Sequence, residues 1–136
     1  MARNRSEYKC PCCQLLNIDE RVIEIDNKVI EKVGFKPDIN SACRCAKHNS
    51  DPKVGGSSTS SHICEDPREK GEEAEKCEAL DYSTPSSWRR AVISIALVEL
   101  GIKRIGFADT FLHWDIDPKK PSPCLYLYPK KNEKKT

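Results

Sequence analysis

Eight cysteines in a chain of 136 residues constrain this fold more than any other feature. They fall in groups: Cys10-Pro11-Cys12-Cys13 near the start, Cys43-Arg44-Cys45, then Cys64 and Cys77 on either side of a polar stretch, and Cys124 late. Whether the sulfurs hold a metal or one another, they tie together segments far apart in sequence. The start, Met1 to Glu7, is basic but leads into Tyr8-Lys9-Cys10 rather than an apolar run, so no secretory signal is expected. Without one, free thiols and thiolate ligands weigh as much as a disulfide framework. Cys10, Cys12 or Cys13, Cys43 and Cys45 could supply four thiolates to a structural zinc; two disulfides account for the same residues, and both readings stay open.

The core must be small. Leu, Ile, Val and Phe number 28, near the ~20% level below which a chain struggles to fold, but the net charge of +2 is too low for disorder. One domain over residues 1–136 is expected, as a monomer. Basic and acidic side chains nearly balance, 23 against 21, which removes the electrostatic argument for nucleic acid as the main partner. The longest nearly unbroken apolar run is the eight residues Ala91 to Val98, against the ~20 needed for a membrane span.

Asn17 with Glu20 three residues on reads as a helix start, and Val22, Ile25, Val29 and Val33 form one stripe that ends at Gly34. Ile39 to Arg44 reads as a short extended segment, and residues 48–61 as a loop bending at Gly55-Gly56. Residues 65–76 carry no large apolar side chain and read as a solvated excursion. A second helix is expected from a Thr84 cap through Leu100 to Gly101, with Trp88 and Trp114 as core aromatics. Arg104 to Phe107, Phe111 to Ile116 and Leu125 to Tyr128 read as strands, and 130–136 as a Lys-rich frayed tail. The sum is an α+β domain: a small antiparallel sheet with helices on one side.

Imidazole chemistry must come from His48, His62 or His113. Alternation within Phe111-Leu112-His113-Trp114-Asp115 puts His113 and Asp115 on one strand face. With His62 and Asp81, His113 would give two imidazoles and a carboxylate to a Zn²⁺ and leave a fourth position open, as catalysis requires. Taken alone, a strand histidine is more often a hydrogen-bonded core residue. His48 reads as a structural loop residue.

The order of short motifs adds to this. Tyr8-Lys9-Cys10-Pro11-Cys12, Ser41-Ala42-Cys43-Arg44-Cys45, His48-Asn49, Val54-Gly55-Gly56, Ser60-Ser61-His62, Ala79-Leu80-Asp81 and Phe111-Leu112-His113-Trp114-Asp115 follow one another over residues 8–117. In this the chain resembles the peptidase M15 family, the zinc D-Ala-D-Ala carboxypeptidases and related endolysins, in its small single-domain branch. The resemblance implies a hedgehog/DD-peptidase-like fold, zinc held by His62, Asp81 and His113, and substrate bound by Arg44 and Ser60. It also implies hydrolysis of a D-amino-acid-containing bond in peptidoglycan stem peptides, by a protein made in the cytoplasm and delivered to the wall by another factor. Asp81 follows His62 by nineteen positions, about twelve more than the family spacing, a difference that a surface insertion at 65–76 can carry. Cys64 and Cys77 could clamp its base. The Glu-x-x-His of some relatives is absent, Thr110 standing three before His113, so Asp115, and after it Asp109, are the candidate proton acceptors. Asp115 could instead orient a ligand histidine. The competing expectations are a non-catalytic zinc module of the same fold and, more remotely, a Cys-ligated zinc-ribbon-like interaction protein.

Overall fold

The computed structural model describes residues 2–129; the expected tail at 130–136 lies outside the described residues. The first long helix, α1 (Glu20–Val33), starts two residues later than Asn17 would set it. Asp19 is the cap, its carboxylate accepting from the Arg21 amide at 2.9 Å, and Gly34 closes the helix in the left-handed conformation at φ 79°. Asn17 does other work: its side-chain amide donates to the carbonyls of Glu65 and Glu75 and so pins the base of the polar insertion.

Short β1 (Ile39–Ser41) and α2 (Ala46–Ser50) follow; the insertion holds α3 (Pro67–Lys70), which buries none of its residues. Next come β2 (Ala79–Ser83), α4 (Ser87–Glu99), β3 (Arg104–Phe107), β4 (Phe111–Asp115) and β5 (Cys124–Leu127). Ser86, rather than Thr84, caps α4 by accepting from the Arg89 amide. Among the described residues no helix is long and apolar enough to cross a membrane.

The architecture is α+β, with one five-stranded sheet in the order β1-β2-β4-β3-β5. It is mixed rather than wholly antiparallel, because β5 runs parallel to β3. The cause lies in the connection. β4 ends at Asp115, opposite Arg104 at the start of β3, and Arg104 in turn pairs with Cys124 at the start of β5. The 116–123 link therefore crosses one strand at one end of the sheet, held by a hydrogen bond from the Arg104 guanidinium to the Pro121 carbonyl.

Alternation along the strands gives the sheet two different faces. Leu80, Tyr82, Ile105, Leu112 and Trp114 point into a core completed by Val22 and Val29 of α1 and Ile93 and Leu97 of α4. Trp88 is not part of it: it is 62% exposed and packs on Phe35 at a centroid distance of 6.0 Å, since it lies at the first turn of α4, beyond the helix face that meets the sheet. On the other face, pairing aligns Ser41, Asp81, His113, Gly106 and Tyr126 in a single cross-strand row.

Candidate metal centre

That row carries two of the three ligands expected from the sequence, and a loop supplies the third. His62 has no regular element of its own. It is held because Arg44 pairs with residues 62–64: the Arg44 amide donates to the His62 carbonyl and the Cys64 amide to the Arg44 carbonyl, both at 2.9 Å. The result is a buried triad in which one ligand atom each from His62, Asp81 and His113 lies within 4.8 Å of the others. Asp81 Oδ1 is 3.0 Å from His62 Nε2 and 2.8 Å from His113 Nδ1. A tetrahedral zinc with ~2.0–2.1 Å bonds would hold its ligand atoms roughly 3.3 Å apart, so these edges need to open only by a few tenths of an ångström.

The far side of each ring shows why a cation fits. His62 Nδ1 faces the Ala42 carbonyl at 2.7 Å, so that nitrogen carries the proton and Nε2 of the neutral ring presents a lone pair to Asp81. His113 Nε2 faces Asp115 Oδ2 at 2.7 Å, which leaves a lone pair on Nδ1. Two lone pairs aimed at one carboxylate oxygen repel it unless both rings take a second proton or a cation sits among them. Burial alone would raise the Asp81 carboxyl; with both rings protonated towards it, their charge and hydrogen bonds would hold it well below the usual carboxylate range. The three side chains could thus hold a cation among them.

The triad opens into a cleft of about 400 Å³ lined by Arg44, Ser60, Phe111, Lys120, Tyr126 and Tyr128, among others. Arg44 is held by Ser41 Oγ and Asn49 Oδ1, and its Nη2 stands 3.6 Å from Asp81 Oδ2. Ser60 lies at the rim, its hydroxyl accepting from the His62 amide. A larger groove of about 680 Å³ runs along the base of the insertion past Glu65, Glu75 and Glu78, but His62, Asp81 and His113 do not line it.

The two carboxylates expected as proton acceptors are placed differently from that expectation. Asp115 is buried with both oxygens engaged, Oδ2 on His113 and Oδ1 on the Arg104 guanidinium at 2.8 Å and the Asp117 amide at 3.1 Å. Burial would raise its carboxyl, but His113 and Arg104 hold it below its ordinary value. It does not line the cleft, and its geometry is that of a group orienting a ligand ring. Asp109 is exposed in the β3–β4 turn, where its carbonyl accepts from Arg90, and does not line the cleft either. His48 also lies outside it.

Sequence reasoning gave no role to three residues that shape the site. Arg104 neutralises Asp115. Asn49 holds Arg44 and donates to the Ser57 carbonyl, anchoring the Gly55-Gly56 bend. Gly106 stands where any Cβ would run into the rings of Tyr126 and Tyr128, so its bareness lets those aromatics lean across the sheet towards His113. A lone glycine inside a strand pattern was the available signal.

A scan against protein-family models found no match. Searches of curated proteins and of solved structures found none either.

The geometry and the donor set support a metal-binding site with one open side. The imidazole and carboxylate donors suit a borderline cation such as zinc, and a guanidinium and two phenols face the same space.

Proposed function

We propose that this chain is a zinc peptidase of the M15 type, hydrolysing a peptide bond next to a D-residue in peptidoglycan stem peptides. The observation that carries this reading is the convergence of His62, Asp81 and His113 on one point at the floor of a cleft beside Arg44. The motif order supplies the substrate class. Zinc, when bound, would polarise the scissile carbonyl and acidify a water. Arg44, fixed by Ser41 and Asn49, offers a forked donor to a substrate carboxylate or backbone carbonyl. Burial raises the phenols of Tyr126 and Tyr128, so both stay neutral and donate hydrogen bonds to developing negative charge rather than accept protons. Asp115 acts through His113, fixing its tautomer.

One observation favours a second reading, a non-catalytic zinc module that binds a wall peptide or a protein partner. Beyond the three clustered ligands, no carboxylate or imidazole among the described residues lines the cleft, so none of them offers a proton acceptor there. Zinc analysis of the purified protein, alongside release of amino groups from peptidoglycan with and without chelator, decides between them. The peptidase reading expects chelator-sensitive release; zinc-loaded protein that binds stem peptide but releases nothing would overturn it in favour of the module.

A further inference from the structure

A second cluster of ligating atoms lies outside the cleft. Residues 10–15 form a tight turn in which the Gln14 amide donates to the Cys10 carbonyl and the Cys10 amide to the Leu15 carbonyl, with Gln14 in the left-handed region at φ 65°. The turn presents Cys10 and Cys13 to Cys45, which arrives on a segment docked alongside by the Cys43 amide on the Tyr8 carbonyl. The sulfurs of Cys10, Cys13 and Cys45 all lie within 4.8 Å of one another. Cys12 stands outside that mutual group but approaches the Cys45 sulfur, and is the thiol at hand to complete a fourth position.

Two features distinguish this cluster from a disulfide waiting to form. A disulfide joins two sulfurs, whereas here Cys45 is approached by three. Backbone amides also point at the sulfurs: Cys45 N–H at Cys10 Sγ, 3.5 Å, and His48 N–H at Cys45 Sγ, 3.4 Å. Amide donors of this kind stabilise thiolates, which are the species that ligate metal.

We propose that Cys10, Cys12, Cys13 and Cys45 form a second, structural zinc site that clamps the N-terminal turn onto the segment carrying Arg44. Four thiolates close the coordination sphere, so this site supports structure and not catalysis. Binding releases the thiol protons to solvent and changes no oxidation state. Its consequence for the cleft is mechanical: Cys45 adjoins Arg44, and Arg44 is the residue whose backbone holds His62. The inference does not depend on the peptidase reading.

The test is alkylation of the intact zinc-loaded protein, read by peptide mass spectrometry, with cobalt substitution beside it. Cys12 is exposed and would react at once if free; the proposal expects Cys10, Cys12, Cys13 and Cys45 to be protected until a strong chelator is added, while Cys124 serves as the reference outside the site. Cobalt-substituted protein should show sulfur-to-cobalt charge transfer that survives in the double variant His62→Ala, His113→Ala and is lost in Cys45→Ser. Rapid alkylation of Cys12 in zinc-loaded protein, or a Cys45 disulfide in the zinc-loaded protein, would overturn the proposal. Should Cys45→Ser fail to fold, the protection pattern of the unaltered chain still decides.

Discussion

His113 shows how one side chain is set by what stands behind it. Its Nε2 is committed to Asp115, Asp115 is committed to Arg104, and only then is Nδ1 free to face Asp81. On the proposed zinc reading, Asp115→Asn should therefore weaken zinc binding at the triad by about 10–100-fold without unfolding the protein, as loss of such an orienting carboxylate typically does. Competition against a graded chelator measures it; unchanged zinc affinity with lost turnover would instead make Asp115 a proton acceptor. On the same reading, His62→Ala or His113→Ala should leave the triad unable to retain a metal. Space matters at this scale too. A methyl group at Gly106 would meet the Tyr126 and Tyr128 rings, so Gly106→Ala should cost about 1–3 kcal/mol in urea denaturation and displace the aromatic wall of the cleft.

At the scale of elements, α1 is fastened to the sheet by a charge inside its apolar stripe. Asp26, fully buried, accepts from the hydroxyls of Tyr8 and Tyr82, both at 2.6 Å, and from the Arg3 guanidinium at 2.8 Å. Removing the carboxylate with Asp26→Ala leaves a buried cation and two phenols unpartnered, so a loss of about 3–5 kcal/mol is expected by denaturant titration. The same network sets an alkaline limit. Burial first, and then the neighbouring Asp26, raise the phenols of Tyr8 and Tyr82 above their ordinary range. The folded state therefore holds those protons more tightly than the unfolded chain, and this stability is complete below pH ~10 and lost as pH rises beyond it. Melting temperature should lose this contribution only above pH ~10, and Tyr82→Phe should flatten the decline there; an unchanged decline in the variant would refute the assignment. Periodicity made α1, α4 and the three late strands legible in the sequence, because each has an apolar face. It did not expose β2, whose Ala79 and Asp81 face the site beside core-facing Leu80 and Tyr82, nor Asp26, which reads as a polar interruption until its partners are known.

Across the whole molecule, the triad depends on pairings between segments distant in the chain, and this is the part a sequence carries least directly. Strand register places Asp81 beside His113, a backbone bridge from Arg44 brings in His62, and neither is visible as a local pattern. The choice of His62, Asp81 and His113 came from the types and order of residues, whereas the parallel placement of β5 and the burial of Asp115 against Arg104 came from long-range packing. The nineteen-residue interval from His62 to Asp81 is reconciled by the same packing. The Glu65 amide donates to the Glu75 carbonyl at 2.8 Å, and Asn17 binds both carbonyls, so the excursion begins and ends at one place. Cys64 and Cys77 do not bridge it: no disulfide joins them, and both turn towards Cys43. Deleting residues 66–74 and joining Glu65 to Glu75 through a short glycine turn should thus leave the triad intact. Of that segment only Ala74 is buried, and shortening a surface loop changes closure entropy by less than about 1 kcal/mol. Zinc stoichiometry and melting temperature of the shortened chain should match those of the full chain within a few degrees. Loss of the triad zinc on deletion would mean that the insertion itself holds His62 and Asp81 in register.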